Sequence, residues 1–224
     1  MPQPQQEEIE QGIREIIAVG RRLYQQGLLA GIEGNISRKL SDGSLLITAS
    51  GTCKGFLTPE MILHISMPGS PDEGVEQAAM GTADSRTVRW RPSSETALHL
   101  AAYAHTATGA VVHAHPPFAS AFSLLKTSMP LQAMPEAVAY VGPIARVPYA
   151  VPGTEELARA FAPYWREHRS FIMERHGVLC LGADIDDASY RLESLERYAQ
   201  IVYLASRVET VADLSRDQIE QLRR

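Results

Sequence analysis

Apolar residues recur at helical spacing at the start of the chain. Ile9, Ile13, Ile16, Ile17, Leu23 and Tyr24 line one face of an amphipathic helix that should end near Gly27 or Gly31. Over residues 40–48 the pattern changes to short apolar runs on either side of Asp42-Gly43. That is a hairpin turn, with Leu45-Leu46-Ile47 as the returning strand. Pro92-Ser93-Ser94-Glu95 then opens a run over 96–105 whose Leu98, Ala101, Ala102 and Tyr103 suit a helix capped by a serine. Residues 109–115 read as a strand stopped by Pro116-Pro117, followed by a short helix over 118–125.

Further along, 144–147 predicts a strand and Thr154 caps a helix to about residue 162. Strands over 171–173 and 178–181 flank Arg175-His176-Gly177, and 187–208 is a long helix. Residues 67–74 read as a surface loop. Strands alternating with helices, some of them hairpin-linked, predict an α/β fold with a mixed sheet covered on both faces.

Composition narrows the picture without redirecting it. The chain has 224 residues, 45% hydrophobic and 21% charged, which suits one globular core, so 1–224 is expected to form a single domain with 1–11 and 210–224 as peripheral tails. A net charge of -5 with both signs scattered argues against a nucleic-acid partner. The two cysteines, Cys53 and Cys180, are too few for a disulfide scaffold and are read as free thiols. With no leader-like N-terminus and no apolar run of membrane length, a cytoplasmic protein without a membrane partner is expected.

The candidate chemistry centres on histidine. In Ala110-Val111-Val112-His113-Ala114-His115 the two imidazoles lie two apart on a strand and project to the same face at its end. A lone His-x-His is usually a pair of hydrogen-bonded or surface histidines. Here Pro116 leaves the pair at the C-terminal end of the strand, where sites in layered α/β folds sit, and His176 lies in a turn that can reach back to it. Three such side chains suit a divalent metal, zinc first. Glu95 stands at a helix start, where a carboxylate often does no more than complement the dipole. Ser93 and Ser94 beside it, with the turns Gly34-Asn35 and Ser50-Gly51, offer hydroxyls and free amides for an anion such as phosphate. None of Lys39, Lys54 and Lys126, the only lysines, has an evident desolvated setting, so an imine-forming lysine is the weaker reading.

Together Gly34-Asn35-Ile36-Ser37, Thr48-Ala49-Ser50-Gly51, Ser93-Ser94-Glu95 with His99, His113-Ala114-His115-Pro116, residues 149–154 and His176-Gly177 resemble, in order and rough spacing, the class II aldolase/adducin family. The likeness spans about residues 12–209 and is strongest to the bacterial and archaeal branch related to L-fuculose-1-phosphate aldolase. It implies a three-layer α/β/α domain with a mixed, largely antiparallel sheet, and a homotetramer with the site at a subunit interface. It implies Zn2+, with Co2+ or Mn2+ as substitutes, on His113, His115, His176 and Glu95, the last also acting as acid/base. Gly34, Asn35, Ser50, Gly51, Ser93 and Ser94 would hold the phosphate of a small phosphorylated sugar. The implied reaction is aldol cleavage of a ketose 1-phosphate to dihydroxyacetone phosphate and an aldehyde through a metal-stabilised enediolate.

The chain departs from that branch in two respects. Where the fuculose-phosphate enzyme carries a catalytic tyrosine, Leu131-Gln132-Ala133-Met134 aligns, and the tail 213–224 has no tyrosine either. Tyr140, Tyr149 and Glu136 are the candidate proton donors. The same platform supports epimerisation, dehydration and decarboxylation, which are the alternatives. A non-catalytic adducin-like scaffold is weaker, because all three histidines, Glu95 and the double serine are present.

Overall fold

The computed structural model describes residues 3–66, 75–77, 90–126 and 129–222. The loop expected over 67–74 lies outside them. Helix α1 (Gln3–Gln25) starts the chain, followed by strands β1 (Asn35–Lys39), β2 (Leu45–Thr48), β3 (Ile62–Ile65) and β4 (Val75–Gln77). Then come α2 (Thr96–His105), β5 (Ala110–Ala114), α3 (Pro117–Ser123), β6 (Ile144–Val147), α4 (Glu155–Ala160), β7 (Ser170–Met173), β8 (Val178–Gly182), α5 (Ile185–Ser206) and α6 (Arg216–Leu222). The strands form one sheet in the order β4-β3-β2-β1-β5-β8-β7-β6, antiparallel throughout except for the β6–β7 pair.

Alternation along the strands divides the core in two. On β5, Ala110, Val112 and Ala114 pack with Ile13, Ile16 and Leu23 of α1 and with Leu192, Leu195 and Ala199 of α5. Val111 points the other way, towards Leu98, Ala102 and Tyr103 of α2 and Leu157 of α4. Because β5 and β8 are covered on both faces, every residue of both is buried, which is why they read as continuous apolar runs rather than alternating ones. The result is the three-layer α/β/α sandwich expected from the sequence, with a mixed and largely antiparallel sheet.

Four local expectations change. The first arm of the hairpin is β1, ahead of Leu40, because residues 40–44 form the turn itself, closed by Leu40 N–H donating to the Ser44 carbonyl at 2.8 Å. Strands β3 and β4 extend the sheet beyond the predicted hairpin. Helix α5 begins two residues early because Asp184 caps it, accepting from the Asp187 amide at 2.8 Å. Helix α2 has no serine cap: Glu95 holds the N-cap position, and its side chain is turned elsewhere.

Candidate metal centre

His113 is the fourth residue of β5, and His115 follows just past its end. Both point to the α2 face, as their spacing requires, with their Nε2 atoms 3.1 Å apart. His176 reaches them from the turn between β7 and β8, and the three ring centroids lie 4.8 to 5.0 Å apart. That turn is tightly held. Met173 N–H donates to the Gly177 carbonyl at 2.8 Å, Arg175 N–H donates to Ser123 at 3.0 Å, and Arg175 adopts a φ of 55°. Any side chain at Gly177 would meet the His115 ring and the Ala114 carbonyl, so the glycine lets the turn close over the sheet end.

Glu95 completes the group. Only 5% exposed, it places Oε2 3.0 Å from His113 Nε2 and Oε1 3.3 Å from His176 Nε2. Oε2 also accepts from Asn35 Nδ2 at 2.9 Å. The outer ring nitrogens are aimed too. His113 Nδ1 donates to the Val178 carbonyl at 2.8 Å, and His115 Nδ1 lies 3.1 Å from Glu33 Oε2.

Burial is the largest influence on His113. It draws the pKa down to about 3, against the opposing pull of Glu95, so the ring is neutral at neutral pH. His176 is lowered for the same first reason. Burial alone would raise Glu95, but His113, the Asn35 amide and His176 outweigh it, and the carboxyl lies below its ordinary value. With its Nδ1 donating to a carbonyl, neutral His113 turns the bare lone pair of Nε2 toward Glu95 Oε2 at 3.0 Å, while the other carboxylate oxygen is buried without a hydrogen-bond partner among the described residues. A cation between them resolves both conflicts. The donor set, with the three histidine nitrogens within 4.8 Å of one another, fits a divalent metal.

The candidate anion residues gather around the same end of the sheet. Asn35 pairs with His113 across β1 and β5, and its Nδ2 also reaches Ser93 Oγ at 3.0 Å. Ser50 and Gly51 follow β2 and join the Ser93 segment through an Ala49–Pro92 bridge and a 2.8 Å bond from Ser50 N–H to the Arg91 carbonyl. Gly34 and Gly51 adopt φ of 71° and 74°, conformations open to glycine. Ser94 packs against Gly153 of the 149–154 loop.

The candidate proton donors separate. Glu136 and Tyr140 line a cleft of about 330 Å³ against Glu193, Arg197 and Tyr198 of α5, across the sheet from Glu95 within one chain. Tyr149, exposed, follows β6 at the histidine end, its N–H 3.3 Å from Glu174 Oε2. Ala133 lies on the α5 side as well, its N–H donating to the Tyr198 hydroxyl at 2.8 Å.

One expectation about lysine is corrected. Lys54 is desolvated: it is 2% exposed, and burial lowers its pKa to about 8. The cause lies in tertiary packing, since its Nζ donates to the Ile32 carbonyl at 3.0 Å and the Thr52 carbonyl at 2.7 Å, tying the Gly34 turn to the Gly51 turn. Sequence reasoning also passed over Glu33. Its place between two glycines beside Asn35 was the only signal, and no spacing rule points a carboxylate in a turn at a histidine 82 positions away.

Comparison with known proteins agrees with this geometry. The model of the Class II Aldolase and Adducin N-terminal domain family matches residues 14–203. An L-fuculose phosphate aldolase of Methanococcus maripaludis is 34% identical over 86% of this chain and 96% of its own. A 3-oxo-tetronate 4-phosphate decarboxylase of Escherichia coli is 28% identical over 88% of each chain. The crystal structure of Escherichia coli YgbL superposes with a TM-score of 0.82 at 26% identity, covering 95% of this chain and 97% of that one. With a matched domain that contains every residue of the histidine–carboxylate cluster, the chain belongs to the class II aldolase and adducin family and is an enzyme of it.

Proposed function

We propose that this protein is a zinc-dependent lyase that breaks a carbon–carbon bond in a small phosphorylated keto sugar, releasing dihydroxyacetone phosphate. The observation that carries the reading is the convergence of three imidazoles at one point, two of them, His113 and His176, each meeting one oxygen of the buried Glu95, beside Asn35 and Ser93. His113, His115 and His176 would hold a divalent ion, which when bound would supply positive charge beside the keto group of the substrate. Ser93, Ser94 and the amides of the Gly34 and Gly51 turns bind the phosphate, which fixes the substrate relative to the cluster. Glu95, a carboxylate in the resting site, takes up a proton released in the reaction or supplied by solvent and delivers it to the enediolate carbon.

Aldol cleavage of a ketose 1-phosphate is the leading reaction. The C3–C4 bond breaks, its electron pair passes to the keto fragment, and the C4 hydroxyl loses a proton as the aldehyde forms. The aldolase relative supports this. Decarboxylation of a phosphorylated 3-keto acid is the second reading, favoured by a specific observation. Of the three candidate donors only Tyr149 stands at the histidine end, and departing CO2 leaves no hydroxyl proton to remove. The decarboxylase relative points the same way.

A homotetramer with the site at a subunit interface and a cytoplasmic location belong to the proposal. Exposed Ile32 and Phe56, at 66% and 68%, adjoin Glu33 and Lys54 at the histidine end and suit a neighbouring copy. Among the described residues no helix is long and apolar enough to cross a membrane.

The test is to incubate zinc-loaded protein with L-fuculose 1-phosphate, other ketose 1-phosphates and 3-oxo-tetronate 4-phosphate, following dihydroxyacetone phosphate and CO2. Glu95→Gln should keep metal and lose turnover. Release of dihydroxyacetone phosphate from none of these substrates would refute the proposal.

A further inference from the structure

Behind Glu95 lies a buried chain of hydrogen bonds that the proposed chemistry does not use. Asn35 faces two ways: Nδ2 lies against Glu95 Oε2 and Ser93 Oγ, while Oδ1 meets His99 Nε2. His99 Nδ1 is 2.6 Å from Ser37 Oγ, and that oxygen is 2.8 Å from the Tyr103 hydroxyl. All four residues are buried. Two periodicities build the arrangement. Asn35 and Ser37 share one face of β1, and Glu95, His99 and Tyr103 follow one another at intervals of four along the start and inner face of α2.

The direction of every bond follows from the carboxylate. An ionised carboxylate only accepts, so the Asn35 amide must turn its NH2 group toward Glu95; a flipped amide would set two oxygens 2.9 Å apart. Its carbonyl oxygen then faces His99, whose Nε2 must carry the hydrogen. His99 is fully buried, with the Asn35 amide oxygen on one ring nitrogen and a hydroxyl on the other, and burial favours the neutral ring, so Nδ1 is bare. Ser37 therefore donates to Nδ1 and accepts from Tyr103, whose phenol burial keeps protonated. Every donor points toward Glu95. Ser93 Oγ, accepting from Asn35 and from the Glu95 amide at 3.3 Å, keeps its own hydrogen free for a ligand.

We propose that His99, Ser37 and Tyr103 are positioning residues, a one-way hydrogen-bond chain that holds His99 as the Nε2–H tautomer and so locks the Asn35 amide. The locked amide holds Glu95 for proton transfer and leaves the Ser93 hydroxyl proton turned toward the substrate phosphate. The proposal rests on the lyase reading for its catalytic consequence, but the tautomer and the lock can be measured without turnover.

The first measurement is nitrogen NMR of the histidines in zinc-loaded protein. His99 should carry its proton on Nε2 with a bare Nδ1, and that proton should exchange slowly with solvent. A proton on Nδ1 would overturn the proposal. The second compares His99→Leu with His99→Gln, whose amide can donate to Asn35 and accept from Ser37. With zinc retained, His99→Leu should lower kcat about 10- to 100-fold, and His99→Gln should restore most of it. If His99→Leu fails to fold, Tyr103→Phe serves instead, with faster exchange of the His99 Nε2 proton and a lowered kcat expected. Wild-type kcat in a folded, zinc-loaded His99→Leu or Tyr103→Phe protein would reduce the chain to structural satisfaction of buried groups. If wild-type protein turns over no substrate, the lyase reading fails while the NMR result still decides the tautomer.

Discussion

Gly34→Ala tests how closely the loop before β1 must approach the histidine strand. Gly34 adopts a φ of 71°, and an added Cβ would meet a methyl group of Leu29 and lie 2.6 Å from the His113 carbonyl oxygen. Two separable penalties follow. Forcing alanine into the left-handed region costs about 1–2 kcal/mol. The carbonyl is backbone in the middle of a sheet and cannot yield as a side-chain tip would, so the loop must move, adding about 1–3 kcal/mol. Gly31 isolates the first penalty, since it has a φ of 51° with nothing within 4 Å of its added Cβ. Urea unfolding should therefore place Gly34→Ala below Gly31→Ala by about 1–3 kcal/mol. Glu33 and Asn35 flank the displaced residue, so zinc affinity in a chelator competition should fall about 10- to 100-fold. Equal stability and equal zinc affinity in the two variants would show that the close approach constrains neither fold nor site.

Three other outcomes are expected. Zinc at about 100 times its Kd should stabilise stripped protein by about 2.7 kcal/mol, reversibly with chelator, and His113→Ala should show no such gain in thermal or urea unfolding. His99, with a folded pKa of about 4 against 6.5, gives stability that is fully present above pH 6.5 and is lost as pH falls toward 4. Over that range metal-free wild type should lose about 3 kcal/mol more than His99→Gln, as measured by urea unfolding at a series of pH values. Lys54→Met leaves the Ile32 and Thr52 carbonyls without their donor, so urea unfolding should show a loss of about 1–3 kcal/mol per orphaned group.

Much of the architecture was legible because its signals are local. The spacing of Ile9, Ile13 and Ile16 marks the buried face of α1, and the continuous run through Val112 marks a strand covered on both sides. Strands β3 and β4 escaped notice because strands of four and three residues are too short to show a period. The serine expected to cap α2 failed for a functional reason: Ser93 Oγ accepts from the Asn35 amide and, at 3.3 Å, from the Glu95 amide, and Glu95 itself stands at the N-cap.

The sequence by itself determined the pairing of His113 with His115, because alternation on a strand leaves no choice of face, and it set Glu95, His99 and Tyr103 on one side of a helix by the same kind of rule. Tertiary structure decided everything that joins distant segments. It brought His176 to the pair, turned Glu33 onto His115, buried Lys54 between two turns and set Glu136 and Tyr140 across the sheet from Glu95. Periodicity constrains which way a side chain points along its own element. Which partner it meets depends on how the elements pack, and that is settled by the whole core at once.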